Sequence, residues 1–253
     1  KIKERNVTKY IKLIADTKKK VKIPVIASIN CTSSYEWTYY TKKIEEAGAD
    51  ALELNIYILP STLDKTIDEI EQTYLEIISM VKGETNMPVS IKISCFFSNL
   101  ARAIKQLSKT GVDGIVLFNR FYSPDIDTDK MELVSTNVLS RPEEISHSLR
   151  WIGIMASRVK CDLAASTGVH DGKATVKQLL AGADAVQCVS ALYKNGPAYL
   201  ATMLKELKDW MKEKGFEKIS DFKGKLSQEQ YLNPSLYERV QFMKYFSDRE
   251  KYH

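Results

Sequence analysis

The residues able to do chemistry in this sequence stand at or near the ends of short apolar runs. Lys92 lies inside Val89-Ser90-Ile91-Lys92-Ile93, a run otherwise suited to a buried strand. A bare buried ammonium is costly, so such a lysine needs an anionic or polar partner. A cation there could meet an electron-rich ligand, such as a reduced flavin ring carrying negative charge. The alternative is an edge strand with Lys92 facing solvent. Asn55 and Asn119 end two further runs with amides that both donate and accept. They suit the imide edge of a flavin or pyrimidine, or each caps a loop. Ser166-Thr167-Gly168-Val169 precedes a helix expected from Asp171. Its hydroxyls and backbone N–H groups could cradle a phosphate, and Ser190 could donate from the next turn. Any strand-to-helix turn can carry Ser, Thr and Gly, so this motif alone is unspecific. His170 is either an acid or base or a polar loop residue.

Three echoing segments position these groups: Ala47-Gly48-Ala49-Asp50-Ala51, Thr110-Gly111-Val112-Asp113-Gly114 and Ala181-Gly182-Ala183-Asp184-Ala185. Each follows an amphipathic run and precedes a short apolar one. The pattern predicts a helix stopped at glycine, where positive φ is cheap, then entry into a buried strand. The aspartates can satisfy loop N–H groups. Strands are expected over Pro24–Ile29, Ala51–Asn55, Pro88–Ile93, Gly114–Asn119, Asp162–Ala165 and Ala185–Ser190. Helices are expected over about Val7–Val21, Asp64–Lys82, Pro142–Val159 and Pro197–Lys214. The strands show little alternation, as strands buried on both faces do.

Strict β-α alternation implies a parallel sheet with right-handed crossovers. Six such units after a leading helix are two short of a (β/α)8 TIM barrel, whereas an open doubly wound sheet needs no more. For the barrel, the expectation is that the first two βα units are missing from these residues. The connection from Arg120 to Arg141 is long for a βα loop and suggests a lid or hairpin, with Leu133-Val134-Ser135 as one strand. In either architecture ligands bind beyond the carboxyl ends of the strands.

Composition narrows the class. The chain has 253 residues, 44% hydrophobic and 27% charged, which excludes a disordered or collagen-like protein. Apolar stretches such as Gly114–Phe118 are far shorter than the ~20 residues of a bilayer span, and no secretory signal is visible. The net charge of +5 is modest and its lysines are scattered, so nucleic acid is a weak reading. Cys31, Cys95, Cys161 and Cys188 form no CxxC pair or metal-ligand spacing. No metal is expected, and a reducing, cytoplasmic location is.

From Pro24 to about Leu226 the chain resembles the dihydroorotate dehydrogenase family, in its dihydroorotate dehydrogenase-like branch. The resemblance rests on Pro24–Asn30, Ala47–Tyr57, Val89–Lys92, Asp113–Arg120, Thr167-Gly168-Val169 with Leu180–Asp184, and Asp221-Phe222-Lys223-Gly224-Lys225-Leu226. It implies an eight-stranded barrel with FMN at its top, of which residues 1–226 form a single domain incomplete at its N-terminal end. The tail, 227–253, would pack on the barrel or on a partner, with a homodimer expected. By this match Lys92 contacts the flavin ring, Asn55 meets flavin and substrate, and Asn119 binds substrate. Thr167 and Gly168 replace paired glycines at the FMN phosphate, and Ser190 replaces a hydroxyl residue there. Ser28 and Val189 complete the expected cofactor contacts.

The match departs from the family in three places. The Cys or Ser that takes a proton from dihydroorotate stands three residues after the asparagine; here that position is Ile58, which cannot. Arg120 replaces a small hydroxyl residue beside Asn119. The glycine-rich phosphate segment reads Val134-Ser135-Thr136-Asn137-Val138-Leu139-Ser140. FMN binding is therefore expected while oxidation of a dihydropyrimidine stays open, with Tyr57 and Cys95 as other acids or bases. A flavin-free barrel for phosphate ligands, with Lys92 free to form a Schiff base, and a redox-silent homologue are the alternatives.

Overall fold

The computed structural model describes residues 2–238 except Thr32, Tyr122, Thr136 and Asn137; of residues 2–5 it describes the backbone alone. The tail residues 239–253, part of the expected second segment, lie outside the described residues, as do two positions of the expected phosphate segment.

In chain order the elements are α1 (Ile2–Lys20), β1 (Ile26–Ile29), α2 (Ser34–Glu46), β2 (Ala51–Asn55), α3 (Ile67–Lys82), β3 (Val89–Ile93), α4 (Leu100–Leu107) and β4 (Gly114–Leu117). A hairpin follows, β5 (Pro124–Asp127) and β6 (Glu132–Ser135), then α5 (Ile145–Met155), β7 (Asp162–Ala165), α6 (Gly172–Ala181) and β8 (Ala185–Val186). The chain continues through α7 (Ser190–Asn195), α8 (Tyr199–Lys214) and α9 (Ser235–Glu238). Six strands form one parallel sheet in the order β1-β2-β3-β4-β7-β8, curled into a partial TIM barrel with helices around it. The hairpin after β4 is separate and antiparallel, as the long connection suggested.

Several boundaries differ from expectation. The last strand stops at Val186 and a helix already begins at Ser190, because β8 pairs on one side only and short loop backbone replaces the rest of the ladder. Helix α3 starts at Ile67, where Thr66 and Glu69 form a capping box: Glu69 N–H donates to Thr66 Oγ1 at 3.2 Å, and Thr66 N–H to Glu69 Oε2 at 2.7 Å. Helix α5 ends at Met155, four residues early, and α8 starts two residues late.

The repeated corners behave as their residues require. Gly48, Gly111 and Gly182 have φ of +86, +83 and +116°. Each following aspartate accepts from a backbone N–H at the start of the preceding strand: Asp50 from Val25, just before β1, at 2.6 Å, Asp113 from Val89 at 2.8 Å, Asp184 from Leu163 at 2.9 Å. A lysine then pairs with each carboxylate, Lys18 with Asp50 at 2.7 Å, Lys82 with Asp113 at 3.4 Å and Lys223 with Asp184. The amino-terminal end of the sheet is thereby stitched by one device used three times.

The strands alternate more than the sequence suggests. Leu52, Leu54, Ile91, Ile93, Ile115, Leu117 and Leu163 are almost fully buried against the helices, with Ile44, Ile78, Val81, Ile104 and Ile152 opposite. The other face carries Ser28, Glu53, Asn55, Ser90, Lys92, Gly114 and Val116 and lines a cavity of about 770 Å³. The inward face mixes these polar residues with small and apolar ones such as Ala51, Val116 and Ala164, so it lacks the continuous apolar packing of the outer face. Among the described residues no helix is long and apolar enough to cross a membrane. Truncating Ile91 to alanine removes a side chain buried in the centre of the sheet. The expected loss is about 2–5 kcal/mol of stability, read from urea midpoints at unchanged m-value.

Candidate functional site

Parallel register lays the inward residues in rows. Ser28 stands beside Glu53 and Glu53 beside Ser90; one row up, Asn55 stands beside Lys92 and Lys92 beside Val116. Lys92 Nζ donates to Gln187 Oε1 at 2.7 Å, and Gln187 Nε2 donates to Glu53 Oε2 at 2.6 Å. Ser28 Oγ donates to the other carboxylate oxygen of Glu53 at 2.7 Å. One polar chain thus joins β1, β2, β3 and the end of β8. Lysine only donates and carboxylate only accepts, so the Gln187 amide has a single satisfying orientation between them. Burial pushes the Lys92 ammonium below the ordinary lysine value, and the negative charge of Glu53 opposes that shift.

Glu53 and Gln187 escaped the sequence reading. Glu53 could have been found by the reasoning applied to Lys92, since it is a charge inside the apolar run Ala51–Asn55 and is only 5% exposed. Gln187 carries no local signal; its role comes from the curl that brings β8 across the lumen.

The remaining sequence candidates fall in different places. Asn55 and Val189 line the lumen with Ser28 and Lys92. The Oδ1 of Asn55 is buried and has no hydrogen-bond partner among the described residues. A buried acceptor left unmade costs about 1–3 kcal/mol, so this atom favours any ligand that brings a donor. Asn119 lies over the strand ends, where its Nδ2 donates to Ile56 O and Lys92 O, both at 3.3 Å. With Thr167 it lines a second cavity of about 290 Å³, walled by Phe96, Phe118 and Phe121. Phe121 stacks on Tyr57 with ring centres 4.0 Å apart. Ile58 lines neither cavity but a third, of about 510 Å³, with Trp37, Ile77 and Met80 on the helix side.

The expected phosphate turn has two successive left-handed residues, Thr167 at φ +79° and Gly168 at +75°. Gly168 packs on the start of α5 so closely that an added Cβ would sit 2.1 Å from Ile145 N. Ser190 Oγ accepts from Ser140 N–H at 2.9 Å, Ser140 Oγ lies 3.1 Å from His170 Nε2, and Lys194 Nζ donates to Ser140 O at 3.2 Å. Ser140 therefore gathers Ser190, His170 and Lys194. Arg120 holds the same segment from the other side. Its Nε pairs with Glu144 Oε2 at 2.7 Å and its Nη1 donates to Val138 O at 2.9 Å. The arginine that departs from the family pattern latches the end of β4 to the residues leading into α5.

The sequence model of the dihydroorotate dehydrogenase family matches residues 4–211. Similar curated proteins include dihydroorotate dehydrogenase B (NAD(+)) catalytic subunits from three organisms. That of Thermoplasma volcanium is 29% identical over 212 residues, covering 81% of this chain and 69% of the relative. That of Pyrococcus abyssi is 26% identical over 211 residues, covering 82% and 70%. That of Halalkalibacterium halodurans is 25% identical over 210 residues, covering 81% and 68%.

Two outcomes follow from this geometry. Gly168 and Gly215 share a φ near +75°, but a Cβ at Gly215 meets nothing within 4 Å. Gly215→Ala should cost about 1 kcal/mol of strain, whereas Gly168→Ala should cost clearly more and move α5, as thermal unfolding of both variants will read. The second concerns acid. Burial lowers the pKa of His147, helped by Arg150, and of His170, helped by Lys194. Below the unfolded value of ~6.5 the unfolded chain then holds more protons than the folded one, so stability falls as pH falls. Urea midpoints at pH 7.5 and 5.5 should diverge in the native protein and converge in His147→Gln/His170→Gln.

Proposed function

We propose, from the premise that the chain belongs to the dihydroorotate dehydrogenase family, that it is an FMN-dependent oxidoreductase acting on a planar, hydrogen-bonding ring of the dihydropyrimidine type. The observation that carries this reading is the buried, unpartnered Oδ1 of Asn55 beside Lys92 in the strand register. A ring with an imide N–H supplies the donor that atom lacks, and Lys92 suits an electron-rich neighbour. Thr167, Gly168 and Ser190 would hold the phosphate, and Ser28 and Val189 would flank the ring, so the residues present fit FMN.

When bound, FMN supplies acceptance of hydride from a ring carbon of the substrate. This chain's own groups do the rest. Lys92 keeps positive charge at the floor of the site while the strand rows fix its depth. Asn119 orders the mouth by tying Ile56 and Lys92 carbonyls together, and with Asn55 it would orient the substrate. Phe96, Phe121 and Tyr57 wall the mouth with apolar surface. Ile58 takes no proton, so the base lies elsewhere. Cys95 lines the Asn119 cavity, but burial pushes its thiol up, making little thiolate at neutral pH. Tyr57, at the stacked edge of the mouth, is the other candidate.

The same lysine favours a second reading, because a buried amine with a lowered pKa is the kind that forms Schiff bases. Borohydride trapping of a small sugar phosphate on Lys92 would support that barrel and not the flavoprotein. For the flavin reading, protein reconstituted with FMN should turn yellow, with bands near ~370 and ~450 nm, and Lys92→Met should bind FMN at least about tenfold more weakly. A colourless wild-type protein after FMN addition and desalting would refute it. A yellow protein whose reduced flavin exchanges no electrons with orotate would keep the cofactor and make the chain a redox-silent homologue. A cytoplasmic homodimer is the setting we propose, with sedimentation equilibrium as its check.

A further inference from the structure

We infer that Glu53 is a positioning residue for Lys92, acting through the Gln187 amide, and that this relay decides where the lysine points and how readily it carries its proton. The inference deepens the flavin reading and its functional meaning rests on it, but its geometry stands alone. Glu53 is 5% exposed, a carboxylate inside a sheet. Such a group persists only with partners, and it has two: Ser28 Oγ on one oxygen at 2.7 Å and Gln187 Nε2 on the other at 2.6 Å. Gln187 then turns its oxygen to Lys92 at 2.7 Å. The carboxylate fixes the amide, and the amide fixes one of the three ammonium donors. The other two are left to point along the lumen, where Asn55 is the neighbouring row position.

Glu53 is also the inward charge that opposes the effect of burial on Lys92. The other groups around the lumen are differently placed. From α1, Tyr10 OH is engaged with the backbone of Ser28, at 3.0 Å to its carbonyl and 2.9 Å from its N–H. On β3 itself the inward neighbour is neutral Ser90, and β4 presents Gly114 and Val116. Asp113, Asp162 and Asp184 sit at the far, amino-terminal end; Asp113 and Asp184 are held by Lys82 and Lys223. Beyond Gln187, the chain after β8 adds the neutral thiol of Cys188, whose pKa burial raises.

The test follows Lys92 in protein free of flavin, so its outcome holds whether or not FMN binds. Trace acetylation with acetic anhydride across pH 6–11, read by mass spectrometry, gives the labelling profile of each lysine, with exposed Lys205 as internal standard. In Glu53→Gln the Lys92 profile should move to lower pH and its labelling at pH 7.5 should rise about tenfold relative to Lys205. Gln187→Met, which keeps bulk and removes both hydrogen bonds, should move it the same way. A Lys92 profile in folded Glu53→Gln that overlays the wild type overturns the inference. Should Glu53→Gln fail to fold, the Gln187→Met profile decides it by the same criterion. A wild-type protein that takes up no FMN would overturn the flavin reading separately, leaving the labelling result in force.

Discussion

Two opposite charges on the inward face of one parallel sheet, half-buried Lys92 and buried Glu53, constrain the rest of this structure. Neither tolerates isolation there, and direct contact is replaced by a bridge through Gln187. The bridge needs β2, β3 and β8 in their present register. A slip of one residue would send Lys92 among the helices and an isoleucine into the lumen. It also explains how so short a strand as β8 keeps its place. With only Ala185 and Val186 in the ladder, its attachment to the far side of the sheet is made by the Gln187 side chain. On the opposite edge, Tyr10 satisfies the N–H and carbonyl that Ser28 turns away from β2.

The two ends of the sheet divide the labour. At the amino-terminal end, each glycine corner delivers an aspartate that accepts a backbone N–H at the start of the neighbouring strand and is paired with a lysine. These pairs are half exposed and contribute little individually; their hydrogen bonds to backbone fix where each strand starts. Lys223 belongs to the segment after α8 that also buries Phe222 against Trp210 and Phe216, so this distant stretch completes the third corner. With one end closed this way, irregular backbone collects at the other. There lie the consecutive left-handed residues Thr167 and Gly168, the hairpin, and the amide of Asn119 bridging two strand ends.

Departures from the family pattern take on physical meaning in this arrangement. Arg120 is engaged by Glu144 and the Val138 carbonyl, so it orders the segment over Ser190 and His170. In the segment where the resemblance implied glycine-rich backbone, this chain places Ser140, whose N–H, hydroxyl and carbonyl each meet a different side chain. A side-chain network orders this segment. Ile58 packs on the helix side with Trp37, so its own position carries no proton chemistry and adds apolar contact there.

The sequence by itself determined the alternation of strands and helices, the parallel sheet, the glycine corners and the need of Lys92 for a polar partner. Those follow from local rules: periodicity, cheap positive φ at glycine, and the cost of a charge inside an apolar run. Boundaries set by pairing were less legible, since β8 ends where its one neighbour stops rather than where its apolar residues do. Partnerships were not legible at all. Nothing near Lys92 in the chain announces Gln187, 95 residues away, or joins it to Glu53, 134 residues from Gln187. Only the curl of the sheet brings those three side chains within hydrogen-bond reach, because closing a barrel converts positions far apart along the chain into neighbours across a lumen.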